Sequence, residues 1–305
     1  MSIFRRYKTT KELLPGFLLE KEIGIQRKTC RSYTGQLPIF TDWLEDNGYG
    51  NLPIKKITPQ IMSDFFFYIA RDKGLDRPTC ERYFMNIRQL FRYAIKRTET
   101  DVLPFELIVF PRKKKDQGAE VIQPEHLKPL LTLIKEKDPQ LYFACMIEYY
   151  CFIRPGKELR LMKVGDIDLN HGVITIRQEI AKNKLKQVVT MPQQLIDICI
   201  EYGVDKADKS LYLIGNNKLF GTKPTSVNML RYRFNKYRDE LNLPKGYKLY
   251  SFKHTGASRL HQSGISMREL MDQLRHTNLD ATQHYLKKHI GIVNDRVRNN
   301  FPSPI

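Results

Sequence analysis

The stretch LRHTNLDATQHYLKKH, Leu274 to His289, sets His276 and Tyr285 nine residues apart, with Lys287 and Lys288 directly behind the tyrosine. Three further stretches carry groups of the same kind. CFIRPGKELR places Arg154 straight after an apolar run. AKNK places Lys182 in a polar turn. YSFKHTGASRL places Tyr250, Lys253 and His254 together. A guanidinium presents a planar fork that matches two phosphate oxygens. An imidazole can donate or accept near neutral pH. A phenol becomes a nucleophile when neighbouring groups assist it. Each residue alone has a plainer reading: Tyr285 in a core, Arg154 in a structural ion pair, Lys182 on a solvated turn.

Composition narrows the partner. The chain has 305 residues, 41% of them hydrophobic, enough for a core and for two domains of ordinary size. A formal net charge of +18 favours a polyanion, because neutralising phosphates releases condensed counterions. A merely soluble basic surface is the alternative. No apolar run approaches the roughly 20 residues that span a bilayer, and MSIFRRYKTT lacks an apolar export core. Five scattered cysteines without CxxC suit reduced thiols in a cytoplasmic protein. The histidines offer no zinc spacing, and no Gly-rich loop ends in GK[ST]. Neither metal nor nucleotide is therefore expected as a cofactor.

The elements that must position these groups are mostly helical. Tyr33, Leu37, Phe40 and Leu44 recur at helical spacing, with Pro38 expected to kink that helix. Thr58 reads as a cap before Pro59, in a helix closing at Gly74. Thr79 reads as a cap for a helix whose apolar face is Tyr83, Ile87, Leu90 and Ala94. Its basic residues Arg82, Arg88, Arg92, Lys96 and Arg97 lie off that stripe, either as a solvated face or as a phosphate-contacting one. FPRKKKDQGAE reads as a basic linker over 111–120, separating a helical domain (1–110) from a second domain (121–305). In the second domain, helices start at Pro124 and over LYFACMIEYYCFI. GVITIRQEIAKNKLKQVVTMP reads as a β-hairpin turning at KNKLK. Another helix carries Val227, Leu230, Phe234, Tyr237 and Leu241 on one stripe. Ser266 with Glu269 forms a capping box, and Asp280 with Gln283 opens the helix that carries Tyr285.

Arg154, Lys182, Tyr250 with Lys253, His276 and Tyr285 follow one another in an order that closely resembles the tyrosine recombinase (phage integrase) family, whose members cut and rejoin DNA. The resemblance covers essentially the whole chain, and the His276-to-Tyr285 interval with its flanking QL and T..Y is its most specific part. It implies a mainly α fold with a small β-sheet: an N-terminal helical bundle (core-binding, SAM-like) plus a mixed α+β catalytic domain. It implies that Tyr285 is the nucleophile, forming a 3′-phosphotyrosyl link that conserves the bond energy for religation. Arg154 would neutralise the phosphate, Lys182 (or Lys184) would protonate the leaving oxygen, and His276 would donate to a non-bridging oxygen.

This sequence departs from the family in two ways. The family's usual His and second Arg are Tyr250 and Lys253 here, the latter a cation without the bidentate fork. The family's acidic residue lies three after the first Arg, whereas Glu158 lies four after Arg154. The expected partners are double-stranded DNA, gripped between two lobes, a homo-tetramer on that DNA, and DNA-bending accessory proteins, with no membrane. The tail IGIVNDRVRNNFPSPI would dock on a neighbouring protomer or fold back on its own domain. Two other functions suit the same fold: an architectural or regulatory DNA-binding protein with impaired catalysis, which Tyr250 and Lys253 favour, and a monomeric enzyme relaxing supercoils.

Overall fold

The computed structural model describes residues 6–24, 27–112 and 118–277. Tyr285, the Asp280–Gln283 cap and the C-terminal tail lie outside the described residues. The chain divides into two compact units, Met1–Asp116 and Gln117–Ile305.

The first unit contains four α-helices among its described residues: α1 (Thr10–Gly24), α2 (Arg27–Asp46), α3 (Pro59–Phe67) and α4 (Arg77–Lys96). Thr58 caps α3 by accepting from the Ile61 amide, and Pro59 stands where an N–H would be orphaned. The helix runs on as a π-turn over Tyr68–Asp72 before Gly74 adopts positive φ. Thr79 is not the cap of α4. Asp76 is, its carboxylate accepting from the Thr79 amide, which makes Pro78 an early helical residue. An aspartate three residues upstream offers the same bond as the threonine, and local sequence alone did not separate them. α2 continues through Pro38 as one helix, with the Thr41 hydroxyl donating to the Pro38 carbonyl. Leu37, Phe40, Leu44, Ile87, Leu90 and Ala94 are buried in one core with Phe17 and Phe65. On α4, Arg82, Arg92, Lys96 and Arg97 are exposed opposite that core.

The second unit is built around α6 (Pro139–Cys151), an apolar helix packed against α5 (Pro124–Lys137), α7 (Gln193–Glu201), α8 (Met229–Glu240) and α9 (Ser251–Gln262). α10 (Met267–Leu274) packs on α9, and the expected Ser266–Glu269 capping box opens it. The strands β1 (Ile167–Asp168), β2 (Val173–Ile176) and β3 (Gln187–Thr190) form an antiparallel meander; β4 (Tyr212–Ile214) pairs with β5 (Leu219–Gly221). The register Ile176↔Gln187 makes the β2–β3 connection the whole of 177–186, longer than the KNKLK turn expected. Arg177 leaves the strand direction to bond Asp166 and the Leu161 carbonyl, so pairing stops early. Gly256 is required on α9, because a Cβ there would meet the Tyr149 carbonyl oxygen of α6 at 1.9 Å. That close approach is what brings the residues of α9 beside the end of α6.

Candidate active site

α6 ends in a left-handed residue, Phe152 (φ 54°), and the chain turns sharply to present Arg154. Arg154 donates from its amide to Glu158 Oε2 (3.1 Å) and from Nη1 to Glu158 Oε1 (2.7 Å). Glu158, one residue later than the family's spacing, is thus the group that orients the guanidinium. Its side chain is 1% exposed, while that of Arg154 is 24% exposed, so the carboxylate lies beneath the guanidinium. Burial pushes the Glu158 carboxyl upward, but the charges of Arg275 and Arg154 and their hydrogen bonds outweigh it and hold it below its usual range.

Arg275 is the residue that sequence reasoning missed. It stands at the end of α10 in the left-handed region (φ 58°), where glycine is favoured. From there Nη2 donates to Glu158 Oε2 (2.9 Å) and to the Phe152 carbonyl (3.0 Å) at the C-terminus of α6. A cation at that helix end complements the dipole. The one sequence signal was a bulky cation directly after Leu274, in the place a terminating glycine would take.

Lys253 is fully buried on α9, and its Nζ has no hydrogen-bond partner among the described residues. Burial drives its ammonium well below the ordinary range. Arg154 and Arg275 add to that shift, while Glu158 and Glu148 only partly oppose it. Glu148 on α6, also fully buried and without a hydrogen bond, is pushed well above the carboxylate range by desolvation, and Lys253 partly offsets that shift. The amine and the carboxyl are therefore both held toward their neutral forms.

Tyr250 is half-buried at the N-terminal end of α9, its ring 5.2 Å from that of His254 and 5.9 Å from Lys253 Nζ. His276 follows Arg275. Burial draws it down to about 4, with Lys253, Arg154, Arg275 and Lys182 all contributing in that order. The basic groups that oppose its protonation thus come from α9, the Arg154 turn, the adjacent Arg275 and the β2–β3 connection. Lys182 is exposed on the β2–β3 connection, and the field it exerts at His276 brings that turn into the group. Lys184, two residues on, is exposed with positive φ (58°). The described structure thus gathers Arg154, Lys182, Tyr250, Lys253 and His276. Tyr285 lies outside the described residues.

Beside Tyr250 a cleft of about 460 Å³ is lined by Pro155, Gly156, Arg160, Arg231, Lys245 and Lys248, among others. These basic groups extend the positive surface away from Arg154. Arg233 and Arg238, on the same helix as Arg231, serve the fold instead. Arg233 binds Asp138, and Arg238 donates to the Tyr247 carbonyl. Among the described residues, no group of three or more His, Cys, Asp or Glu could hold a metal ion, and no helix is long and apolar enough to cross a membrane. The arrangement is suited to an anion whose charge grows during reaction: a partly exposed guanidinium, a neutral imidazole and an exposed ammonium, with a buried carboxylate beneath the guanidinium.

Comparison with known proteins gives the same picture. The sequence profile of the phage integrase family matches residues 120–290, and that of the phage integrase SAM-like domain matches residues 3–110. Tyrosine recombinase XerA of Thermococcus kodakarensis is 26% identical, over 87% of this chain and 86% of that protein. Tyrosine recombinase XerC of Leptospira interrogans is 21% identical, over 91% and 88%. Among solved structures, the Tn1549 transposon integrase in complex with transposon right-end DNA superposes with a TM-score of 0.73 at 16% identity, covering 96% of this chain and 98% of that one. A lambda integrase dimer bound to a COC′ core site gives 0.72 at 17% identity, covering 94% and 80%.

Proposed function

The chain belongs to the phage integrase family and is a site-specific tyrosine recombinase, and we propose that it cuts and rejoins DNA through a 3′-phosphotyrosyl intermediate on Tyr285, needing neither metal nor nucleotide. The observation that carries this reading is that Arg154 and Arg275, the latter directly beside His276 in the chain, converge on one buried carboxylate, Glu158. A phosphodiester resists attack because its oxygens are already negative, and the transition state adds charge to them. Arg154, held by Glu158 and partly exposed, lays its fork on two of those oxygens. His276, neutral at physiological pH, donates one N–H to a non-bridging oxygen. Tyr250, at the N-terminal end of α9, donates its hydroxyl from the same rim. Lys182, exposed on a long connection, delivers a proton to the leaving 5′ oxygen. Lys253, buried behind the phosphate, acts from below as part of the site's electrostatic floor.

The domains divide the labour: the helical unit over 1–110 holds core DNA, the basic stretch 111–120 links, and 121–305 performs catalysis. Exposed Arg82, Arg92 and Lys96 on α4 meet phosphates, as do Arg160, Arg231 and Lys248 in the cleft. A lambda integrase tetramer bound to a Holliday junction is a structural neighbour at a TM-score of 0.72, and it supports a homo-tetramer on double-stranded DNA here. A suicide substrate nicked near the cut tests the scheme. Wild type should leave a covalent protein–DNA adduct, and Tyr285→Phe none. Tight binding by wild type without an adduct would replace this scheme with the architectural reading.

A further inference from the structure

Glu158 poses an electrostatic problem. A carboxylate 2.7 Å from Arg154 Nη1 cancels much of the charge that Arg154 would offer to a phosphate. A second cation must answer it, and two residues stand close enough to do so. Lys253 is a poor candidate: it is fully buried, makes no hydrogen bond to Glu158, and is held toward its neutral form by that burial first and by both guanidiniums second. Arg275 is bonded to Glu158 directly, at 2.9 Å, with both side chains at 2% exposure or less. It also takes the left-handed conformation at the end of α10, which a Cβ makes costly. The Phe152 carbonyl fixes the same Nη2 atom, so Arg275 ties the ends of α6 and α10 to one carboxylate.

We propose that Arg275 is a positioning residue for DNA cleavage: it is the counterion of Glu158 that leaves the charge of Arg154 free for the scissile phosphate. Arg154, Glu158 and Arg275 together carry one net positive charge. Without Arg275, the remaining pair carries none. Arg275 need not touch DNA. It takes the electrostatic part that a second guanidinium on the phosphate would play, and that Lys253 does not.

This inference rests on the cleavage scheme above, and the test keeps the two apart. Suicide substrates are prepared with either an ordinary phosphodiester or a methylphosphonate at the cut, the latter lacking the negative charge. Adduct formation by wild type, absent in Tyr285→Phe, establishes the scheme on its own. The ratio of diester to methylphosphonate cleavage rates then reads the charge. In Arg275→Met that ratio should fall at least ten-fold, because the loss is confined to the charged substrate. In Arg275→Lys it should stay within about three-fold of wild type. Lys253→Met should slow both substrates by the same factor. A purely structural role for Arg275 would slow both substrates equally, overturning the proposal, as would a selective fall in the ratio for Lys253→Met. Arg275→Gln, which removes the charge while keeping a polar end, gives the same comparison should the methionine variant fail to fold.

Discussion

Removing the Glu158 carboxylate should be among the most damaging single changes in the second unit. Glu158→Ala deletes three hydrogen bonds at once: those from the Arg154 amide, from Arg154 Nη1 and from Arg275 Nη2. Among the described residues, Arg275 would keep only the Phe152 carbonyl, its Nε and Nη1 already having no partner there. Breaking one partner out of a buried ion pair leaves an uncompensated charge and costs about 3–5 kcal/mol. The Arg275 side of the pair meets that condition, at 2% and 1% exposure; the Arg154 side, at 24%, contributes less. Glu158→Gln keeps the shape but loses charge-assisted bonds of about 1.5–3 kcal/mol each, so it should fall between wild type and alanine. The control is Glu201→Ala, which breaks a surface pair with Lys135 at 46% and 54% exposure and should change stability by less than about 1 kcal/mol. Urea unfolding followed by far-UV ellipticity measures all three, and the fluorescence of Trp43, the single tryptophan, isolates the first unit's own transition. The pH dependence adds a signature. The folded carboxyl lies below its ordinary value of 4.5, so its contribution is fully present above that pH and is lost as pH falls through the lower, folded value. Glu158→Gln should lack that acid limb. Glu158→Ala within about 1 kcal/mol of wild type would refute the electrostatic account of this site.

Four other outcomes are expected. In the free protein, the His276 ring signals should stay those of a neutral imidazole down to about pH 5 by NMR, since burial and the neighbouring basic groups hold it near 4; a midpoint near its ordinary 6.5 would contradict the clustering. Because that value is depressed, His276 favours the fold above pH 6.5 and works against it as pH falls toward 4. Gly256→Ala should cost the second unit more than about 3 kcal/mol in urea titrations, as a backbone clash between α9 and α6 has no rotamer to relieve it. Lys253→Met should leave stability unchanged or raise it by about 1 kcal/mol, because it removes a buried amine that bonds nothing; a melting temperature several degrees lower would show a hidden partner. DNA affinity should fall steeply with salt, each phosphate contact adding about −0.9 to the log–log slope, and Arg231→Gln should make that slope measurably shallower.

Much of this molecule was legible in one dimension. Helical periodicity located the core faces of α2, α4 and α8, because a buried stripe must repeat every three to four residues wherever the helix packs; Val227, expected on the α8 stripe, precedes the helix and is exposed, since the stripe holds only where the chain is coiled. Thr58 with Pro59 and Ser266 with Glu269 announced their helix starts, since a cap is satisfied by residues three apart. The order of Arg154, Lys182, Tyr250, Lys253, His276 and Tyr285, in a chain of net charge +18, was enough to suggest the family. Three things required the tertiary structure. Asp76 and Thr79 are equivalent as capping groups until the backbone shows which one precedes the helix. Lys253 reads as a free cation on a helix start, yet α9 turns it inward, where desolvation strips most of its value as a charge. Arg275 reads as an incidental neighbour of His276, yet it closes the ion pair under Arg154 from more than a hundred residues away. Sequence determines which groups are available and how each short stretch coils. Burial, and therefore whether a basic side chain is charged and what it can reach, depends on contacts distant along the chain, and those exist only once α6, α9 and α10 have packed.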